Sequence, residues 1–590
     1  MKVAQLVADW IATVNPRVYA LCGAGAMHLN DAICHHPDLH VIAMHHEQAA
    51  TFAAEADARI SGKPGIVHVT AGPGGTNTIT GLACAYVDSI PLIVIAGQAS
   101  STTLHPPNIR QLGLNELDLV AMVKPVTKYA VTVTRADEVL YHLNKAAHLA
   151  TSGRPGPVWV EIPIDIQAAD VDIGSLRLYE KPPSFDRTVH GVRTALDMLA
   201  RAERPVLMIG NGIRLADACD ECGRLVKALH IPVVSSWGAC DIIPTDNPYY
   251  IGRAGIFGCR PSNFTVQNAD LILAIGTRLS VPQTGHAPAL FAPNAEKIVV
   301  DIDSAEARKV TIRPDLAIVA DAGDFLRAVL TELGDYPPRF AKHYSWLQRC
   351  IAWRKQYPVM CEEYRNESDG VNAYHFIEEL AKHLPDDAIV VTDVGAAFIA
   401  TMQSLPLKEG QRLIHSGGVS PMGWGLPAAI GACVAGGGRK VVCLTGDGGI
   451  MLNLQELLTI AQHKLPITTF VFDNGGYMTI QAMQQNHFKR ESIAGPKSGV
   501  RFPLWNNLCT GCGIEARTLM RGALGSPDHH IMEYALSRDG PVLVDIKMQS
   551  NQLLAPRVQT RMENGKFIPT PIDDMWPYLE REVLEKERVV

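Results

Sequence analysis

The sequence predicts an α/β protein built from three doubly wound parallel-sheet domains. Short runs of β-branched and other apolar residues alternate with longer helical patterns along the chain, as at 64–69, 91–95, 271–275 and 441–444. These runs are almost continuously apolar, which is typical of strands that are covered on both faces. Strands that alternate with helices in this way indicate parallel sheets flanked by helices.

Two proline-rich segments divide the chain into three parts. They lie at 180–186 and 334–339, and the second is followed by a charged helical segment that reaches about residue 368. Proline interrupts helices and strands, and such stretches commonly separate domains. We therefore expect domains at 1–180, 188–335 and 368–550, followed by a polar C-terminal tail at 551–590.

The composition excludes several classes of protein. The chain has 590 residues, of which 47% are hydrophobic and 19% are charged, and its net charge is −7. These proportions are those of a globular protein. No block of like charge predicts a nucleic-acid partner, and no apolar run reaches the roughly 18–20 residues of a membrane span. The 13 cysteines are scattered and odd in number, so we expect reduced thiols and a cytoplasmic location.

The third domain contains a candidate diphosphate and metal site. A strand at 441–445 ends in a glycine-rich turn with Asp447, and the next strand ends just before Asn474. Glycines at a strand–helix turn let backbone N–H groups approach a diphosphate. Oxygen ligands suit Mg²⁺, so we expect Asp447, Asn474 and the carbonyl of Gly476 to hold the ion. The residues expected to contact the diphosphate-bearing cofactor are Gly446, Gly448, Gly449 and Tyr477.

The spacing of this motif resembles the fingerprint of thiamine-diphosphate (ThDP) enzymes. Gly446-Asp447-Gly448 is followed, after 24 residues, by Asp473-Asn474. The family usually has two asparagines at the second place, and this chain keeps the one that matches the metal ligand. The resemblance implies that ThDP and Mg²⁺ are cofactors, that the first domain binds the aminopyrimidine, and that the third binds the diphosphate.

Glu47 in the first domain matches the catalytic glutamate of that family. It follows a strand at 41–44, and a glutamate there is ordinarily a partner for the helix terminus. In the family it bonds N1′ of the aminopyrimidine and thereby activates the cofactor. A glycine-rich segment follows at 72–77. The residues expected to contact the cofactor there are Gly72, Pro73, Gly74 and Asn77.

The segment 416–429 also matches the family. Met422 stands where a bulky apolar residue supports the bent conformation of ThDP, although a buried methionine is ordinarily part of the core. The resemblance implies that backbone groups of Ser420 and Met422 bond the aminopyrimidine. Gly395, which follows another strand of this domain, is also expected to contact the cofactor.

The central domain has weaker signals of a nucleotide. Its strand at 205–209 is followed by Gly210-Asn211-Gly212, which permits close approach of a phosphate, although the complete dinucleotide fingerprint is absent. The domain resembles the FAD-binding domain of acetohydroxyacid synthases, in which the flavin is largely structural. Alternatively, it keeps the fold without a nucleotide, as in many ThDP enzymes. The residues expected to contact FAD are Gly210, Gly212, Arg214, Arg278, Asp301 and Asp303.

The resemblance covers about residues 1–550 and is specific for the acetolactate-synthase-like branch. Several positions, among them Ile164 and Asn115, depart from the biosynthetic acetohydroxyacid synthases. Segments such as 110–113 and 498–503 look like a subgroup encoded with lipopolysaccharide sugar pathways. The known type of that subgroup is the acetyl-transferring synthase of yersiniose-like branched sugars.

This resemblance implies decarboxylation of pyruvate and transfer of the two-carbon acetyl unit to a keto acceptor, a nucleotide-activated 4-keto-3,6-dideoxyhexose. A polar group must stabilise the forming alkoxide, and the candidates are His28, Asn115 and Gln111. Three alternatives stay open: an acetolactate synthase, another 2-keto acid decarboxylase or carboligase, and a catalytically silent paralogue. Because the family's site lies between subunits, we expect a homodimer or homotetramer.

Overall fold

The computed structural model contains three parallel six-stranded sheets, each flanked by helices. It describes residues 1–104, 108–183, 187–334, 341–365, 369–522, 524, 530–550, 552–563 and 566–589. All strand pairs within these three sheets are parallel. The predicted fold class is therefore confirmed. The predicted boundaries at 335, 368 and 551 lie outside the described residues.

The N-terminal domain is built on a sheet with the strand order β2-β1-β3-β4-β6-β5. Its strands are β1 (Arg17–Ala20), β2 (His40–Ala43), β3 (Gly65–Val69), β4 (Leu92–Gln98), β5 (Tyr129–Thr132) and β6 (Pro157–Pro163). Its helices are α1 (Val3–Val14), α2 (Met27–Cys34), α3 (Glu47–Ser61), α4 (Pro73–Thr76), α5 (Ile79–Asp88), α6 (Leu119–Val123), α7 (Val139–Thr151) and α8 (Ile164–Ala168). Every residue of β3, β4 and β6 is buried, because helices cover both faces of the sheet.

The central domain has a sheet with the order β12-β11-β10-β7-β8-β9. Its strands are β7 (Pro205–Ile209), β8 (Val233–Ser235), β9 (Tyr250–Arg253), β10 (Leu271–Ile275), β11 (Glu296–Asp301) and β12 (Leu316–Val319). Its helices are α9 (Val192–Arg201), α10 (Gly212–Leu215), α11 (Cys219–Leu229), α12 (Arg260–Gln267), α13 (Val281–Thr284), α14 (Ser304–Ala307) and α15 (Ala322–Leu333), and α16 (Tyr344–Gln356) follows in the linker. This strand order is that of dinucleotide-binding folds.

The third domain repeats the strand order of the first, as β14-β13-β15-β16-β18-β17. Its strands are β13 (Ile389–Thr392), β14 (Arg412–Ile414), β15 (Val441–Gly446), β16 (Ile467–Asp473), β17 (Glu515–Leu519) and β18 (Val542–Lys547). Its helices are α17 (Ala373–His383), α18 (Ala396–Ser404), α19 (Gly425–Ala435), α20 (Asp447–Ile450), α21 (Glu456–Gln462), α22 (Met478–Phe488), α23 (Trp505–Cys512) and α24 (His530–Ser537). Strands β15 and β16 are neighbours, which places their carboxyl ends side by side.

The C-terminal segment packs onto the central domain and is not merely polar. It contains β19 (Arg561–Glu563), β20 (Lys566–Ile568) and α25 (Arg581–Glu587). Ile572 and Met575 are fully buried in a cluster of central-domain side chains. Asn263 Nδ2 donates to the Ile572 carbonyl at 2.8 Å, and Trp353 Nε1 donates to the Glu587 carboxylate at 2.7 Å. The segment thus completes the hydrophobic core of the second sheet.

Helices α3 and α19 join the first and third domains. A Cβ atom at Gly431 would lie 1.9 Å from the carbonyl oxygen of Ala53, so only glycine permits this approach. Trp424 Nε1 donates to Glu55 at 2.9 Å across the same interface. The N-terminus of α3 is therefore held in a fixed position relative to the third domain.

The sequence predicts reduced thiols and contains no apolar run long enough to span a membrane. All 13 cysteines are free. Within the described part of the chain, no helix has both the length and the hydropathy needed to span a bilayer.

Candidate active site

Glu47 is the first residue of α3 and lies almost fully buried. Its Oε2 accepts a hydrogen bond from Asn77 Nδ2 at 2.9 Å, and the residue is 6% exposed. His46 is the N-cap, because its Nδ1 accepts from the backbone N–H of Gln48 at 3.1 Å. Asn77, predicted as a cofactor contact, here orients the Glu47 carboxylate.

The turn after β3 lies beside Glu47 and requires glycine. Gly72 has a φ of +61°, and a Cβ atom there would lie 2.7 Å from the Asn115 carbonyl oxygen. A Cβ atom at Gly74 would lie 3.6 Å from Glu47 Oε1. Pro73 begins α4, where its fixed φ suits the first helical position. The structure thus brings the predicted glycine-rich segment against the predicted catalytic carboxylate.

Asp447 is the centre of the second half of the site. Its Oδ1 accepts from Gly448 N at 2.7 Å and its Oδ2 accepts from Gly476 N at 3.0 Å. Burial raises the pKa of this carboxyl to about 7. Asn474 lies on the same turn and donates through Nδ2 to the Phe472 carbonyl at 3.1 Å. Gly476 therefore contacts Asp447 through its amide, whereas the sequence assigned its carbonyl to the metal.

These groups fit a hard divalent cation. Among the described residues, no cationic side chain pairs with Asp447 and no donor bonds Asn474 Oδ1. A bound ion would restore the charged form of the buried carboxylate and use the free amide oxygen. The donor set is therefore consistent with Mg²⁺, which would link these residues to a diphosphate.

Asp473, which replaces the usual asparagine of the family, is neutralised by a lysine. It forms an ion pair with Lys547, which comes from the neighbouring strand β18. The same lysine lies 2.9 Å from Asp545, and Asp473 Oδ1 accepts from Gly475 N at 3.1 Å. The extra carboxylate next to Asp447 therefore has a counter-ion.

Asp393 joins three segments of the site, and sequence reasoning missed it. Its Oδ2 accepts from Gly423 N at 3.2 Å and from Thr445 Oγ1 at 3.0 Å. Burial raises its pKa to about 6. The adjacent Met422 places its Cε 3.4 Å from the Cβ position of Gly448. The available signal was a polar residue at the carboxyl end of the buried strand β13, where ligand sites form in parallel sheets.

The loop that carries Met422 also reaches the first domain. Asn453 Nδ2 donates to the Gly423 carbonyl at 2.8 Å and to Gln48 Oε1 at 3.2 Å. Ser420 is exposed with a φ of +57°, and Gly395 precedes α18 with a φ of +76°. Asn453 thus links the loop to the residue that follows Glu47.

We expect Gly448→Ala to weaken ThDP binding strongly. Its Cβ atom would lie 2.3 Å from the Tyr477 ring, so the ring must move away from the turn. Gly511→Ala, on α23 of the same domain and outside the predicted site, is the matched control, because its Cβ atom would meet nothing within 4 Å. Titration calorimetry with ThDP and Mg²⁺ measures the difference. Equal affinities for the two variants would contradict this assignment of the turn.

The three candidates for the acceptor site lie on two segments, which follow β1 and β4 at the carboxyl edge of the first sheet. His28 is half-buried in the first turn of α2. Gln111 is exposed and donates through Nε2 to the Glu116 carbonyl at 3.0 Å, so its amide supports its own loop. Asn115 is exposed with a φ of +58° and lies against Gly72. Asn115 is therefore next to the Glu47 pocket.

The residues predicted to contact FAD lie along one edge of the central sheet. The glycine turn follows β7, and the hydrogen bond from Gly212 N to the Gly276 carbonyl, 2.9 Å long, joins it to the turn after β10. Asp301 ends β11 and accepts from Asp303 N at 2.9 Å. Gly210 is close-packed there, since its Cβ atom would lie 2.1 Å from the same Gly276 oxygen.

The charged residues of that edge are engaged by protein groups. Arg214 pairs with Asp241 at 2.8 Å. Asp303 pairs with Arg154 of the first domain at 3.0 Å. Arg278 donates to the Val87 carbonyl at 2.9 Å. The contacts of Asp303 and Arg278 connect the central domain to the first, and a flavin would have to displace or share all three contacts.

A cavity of about 400 Å³ lies between the three domains beside this edge. It is lined by residues that include Asn211, Arg214 and His415. Arg214 Nε and both ring nitrogens of His415 are buried and have no partner at hydrogen-bonding geometry within the described chain. Buried polar groups without partners fit a polar ligand. The lining of the cavity therefore suits part of a flavin, whereas the ion pairs along the edge of the sheet oppose its binding. FAD remains a prediction.

We expect His68 and His415 to destabilise the folded protein as pH falls from about 6.5 to about 4, against an opposite contribution from the buried carboxyls of Asp393 and Asp447. Burial lowers the pKa of His68 and of His415 to about 4. Because the unfolded chain then binds more protons at these histidines than the folded one, unfolding becomes easier in that window. Each histidine accounts for roughly 3 kcal/mol at the acid limit. Acidification over this range should therefore lower the melting temperature of His415→Phe less than that of wild type; equal shifts in the two proteins would contradict the assignment.

Comparison with known proteins agrees with this geometry. Residues 1–122 match the N-terminal TPP binding domain of thiamine pyrophosphate enzymes, residues 192–329 match their central domain, and residues 393–546 match their C-terminal TPP binding domain. The chain therefore belongs to the family of thiamine-diphosphate-dependent enzymes and is a carboligase of that type.

Its relatives include large subunits of acetolactate synthase. It is 32% identical over 553 residues to isozyme 1 of Escherichia coli strain K12, covering 93% of this chain and 94% of the relative. Isozyme 2 of the same strain is also 32% identical, with 93% and 96% covered. A probable acetolactate synthase large subunit of Methanocaldococcus jannaschii is 33% identical over 552 residues, with 91% and 90% covered.

Proposed function

We propose that this chain decarboxylates pyruvate and joins the two-carbon unit to a second pyruvate, as an acetolactate synthase acting in the cytoplasm. The observation that carries the proposal is the presence of two half-sites in one chain. One is the buried Glu47 carboxylate oriented by Asn77, and the other is the Asp447 turn with Asn474. Relatives that carry the name acetolactate synthase cover almost the whole chain.

Each half-site has a separate task. ThDP, when bound, supplies a carbon nucleophile and an electron sink for decarboxylation. Glu47 would exchange a proton at the aminopyrimidine edge, and Asn77 fixes the direction of its carboxylate. Asp447 and Asn474 would hold the cation and the diphosphate. Met422 lies beside the Gly448 turn and would support the cofactor.

A nucleotide-activated 4-keto-3,6-dideoxyhexose is the second candidate acceptor. The loop next to Gly72 presents Leu112 and Leu114 to solvent, at 57% and 87% exposure. A bulky acceptor needs such an open approach, and Asn115 on this loop departs from the biosynthetic acetohydroxyacid synthases.

One assay separates these acceptors. The protein is incubated with pyruvate, ThDP and Mg²⁺, with and without the CDP-linked 4-keto sugar, and the products are identified by mass spectrometry. Acetolactate in both reactions supports the synthase. Acetyl transfer to the sugar supports the second candidate, and acetaldehyde alone shows a decarboxylase. No turnover of pyruvate would overturn the proposal.

We further propose that the central domain binds FAD. The glycine turn after β7 and the orphaned polar groups of the cavity support this proposal. Protein purified in the presence of FAD should show the flavin absorption band after gel filtration. Protein that stays colourless after such treatment would show that the central domain keeps its fold without the flavin.

We also propose that each active site lies between two subunits of a homodimer or homotetramer. A mixture of Glu47→Gln and Asp447→Asn subunits should then recover about a quarter of wild-type activity, because mixed pairs contain one site with both native residues. Each variant alone is the control and should be inactive. A mixture as inactive as its components would place both residues of a site in one chain.

A further inference from the structure

The segment Gly23–His28, which leads from β1 into the first turn of α2 and which we call the acceptor loop, rests directly on the end of β3. Asn30 Nδ2 donates to the Gly23 carbonyl at 3.0 Å. A Cβ atom at Gly23 would lie 2.4 Å from Thr70 Cγ2, and one at Gly74 would lie 2.8 Å from the same methyl group. Gly74 in turn lies beside Glu47. A shift of the loop is therefore transmitted through Thr70 to the pocket around the catalytic carboxylate.

A buried histidine supports the residue that holds this loop. His68 in β3 is 1% exposed. Its Nδ1 lies 3.0 Å from the Ile95 carbonyl oxygen, and its Nε2 lies 2.8 Å from Asn30 Oδ1. Both ring nitrogens therefore face acceptors. A neutral imidazole has only one N–H, so the neutral ring leaves one of these two contacts without a proton.

Rotation of the Asn30 amide removes this conflict but breaks the hydrogen bond between Asn30 and the Gly23 carbonyl. Half a turn about the terminal bond places Nδ2 towards His68 Nε2, where it can donate to a neutral ring. The amide oxygen then faces the Gly23 carbonyl, and two acceptors oppose each other. The bond that holds the loop is lost. All three hydrogen bonds form together only when His68 carries two protons.

The hydrogen bonds, and not nearby charges, decide between these arrangements of His68 and Asn30. Burial lowers its pKa to about 4, and no charged side chain in the described part of the chain contributes to that shift. On α2, Asp31 is exposed and lies against His35. On β1, the Tyr19 hydroxyl bonds Asp57 at 3.0 Å. On β4 the group that faces the ring is the neutral Ile95 carbonyl.

We propose that His68 is a positioning residue for the acceptor loop: a proton on Nε2 holds Gly23–His28 through Asn30, and the neutral ring with its proton on Nδ1 releases that loop. The proposal rests on the proposed function, because His28 on this loop is one of the three candidates for stabilising the forming alkoxide. Release of the loop would change the fraction of two-carbon units that are transferred to the acceptor and the fraction that leave as acetaldehyde.

Two substitutions at His68 separate positioning from simple packing. His68→Gln places an amide nitrogen where Nε2 lies and can donate to Asn30 at every pH. His68→Val removes the donor and keeps a residue that suits a buried strand. His343→Gln is the matched control, because His343 is also a buried histidine with a lowered pKa but lies outside the first domain.

Hydrogen–deuterium exchange of peptides covering 23–34 gives a readout that is independent of catalysis. At pH 7.5 we expect about fivefold slower exchange in His68→Gln than in wild type, and no slowing in His68→Val or His343→Gln. After correction for intrinsic rates, wild-type protection of these peptides relative to the rest of the first domain should increase only as the pH approaches about 4, where His68 takes up its second proton. Equal exchange in wild type and both His68 variants would overturn the proposal.

The ratio of acetolactate to acetaldehyde, measured across the same pH range, tests the consequence for catalysis. It should vary with pH in wild type and be independent of pH in His68→Gln. A ratio that varies equally in both would overturn the positioning role. If wild type turns over no pyruvate, the proposed function fails, while the exchange experiment still decides the role of His68.

Discussion

Glu47→Gln should lower pyruvate turnover by about 10²- to 10⁴-fold. Glutamine fills the same space and can still bond Asn77, which lies 2.9 Å from the native carboxylate. It cannot exchange a proton with the aminopyrimidine, so activation of the cofactor fails while the pocket keeps its shape. Steady-state release of CO₂ measures the loss, and calorimetry should show that ThDP still binds.

Glu161→Gln is the control for this change. Glu161 is also a fully buried glutamate of the first domain, bonded to Thr132 at 2.6 Å and to Trp159 at 3.1 Å. It lies outside the predicted site, so its loss should affect stability more than turnover. Turnover by Glu47→Gln that equals that of wild type would sink the assignment of Glu47.

Asp447→Asn should abolish activation by Mg²⁺ and the stabilisation that the ion provides. A cation at 100 times its dissociation constant stabilises the folded state by about 2.7 kcal/mol. The native carboxylate is buried with its pKa raised to about 7, so a bound ion offsets an unfavourable charge. An amide has no such charge, and the apo variant should be at least as stable as wild type. Melting temperatures with and without ThDP and Mg²⁺ report both effects.

Asp473→Asn is the matched control for this substitution. Asp473 lies on the same edge, but Lys547 already neutralises it, and the change restores the usual asparagine of the family. We expect this variant to retain stabilisation by ThDP and Mg²⁺. If both variants lost that stabilisation, the loss would come from the reduced negative charge at this edge of the third sheet, and Asp447 would not be a ligand of the ion.

The features that could be predicted from the sequence depend on which residues and strands follow one another along the chain. Asp447 and Asn474 end two strands that proved to be neighbours in a parallel sheet, so their proximity follows from strand order. Apolar runs such as the one in β4 showed which strands are covered on both faces. Glu47 required the resemblance to a family, because a glutamate at a helix start has many ordinary explanations.

The features that the sequence did not reveal depend on contacts between distant segments. The ion pair between Arg154 and Asp303 joins residues of two domains, and no local pattern indicates it. Asn77 was expected to contact the cofactor, and its bond to Glu47 depends on how α3 and the turn after β3 meet. The frustrated contacts of His68 likewise require coordinates for three separate elements.

The burial of Ile572 and Met575 in the core of the second sheet has a consequence for synthesis on the ribosome. The central domain's own helices end at Leu333, but the side chains that complete its core are translated much later. At common rates of elongation the delay is roughly ten to fifty seconds. During that interval the nascent second sheet exposes an apolar surface while the third domain is still emerging, so this protein's yield in a cell should depend on chaperone capacity.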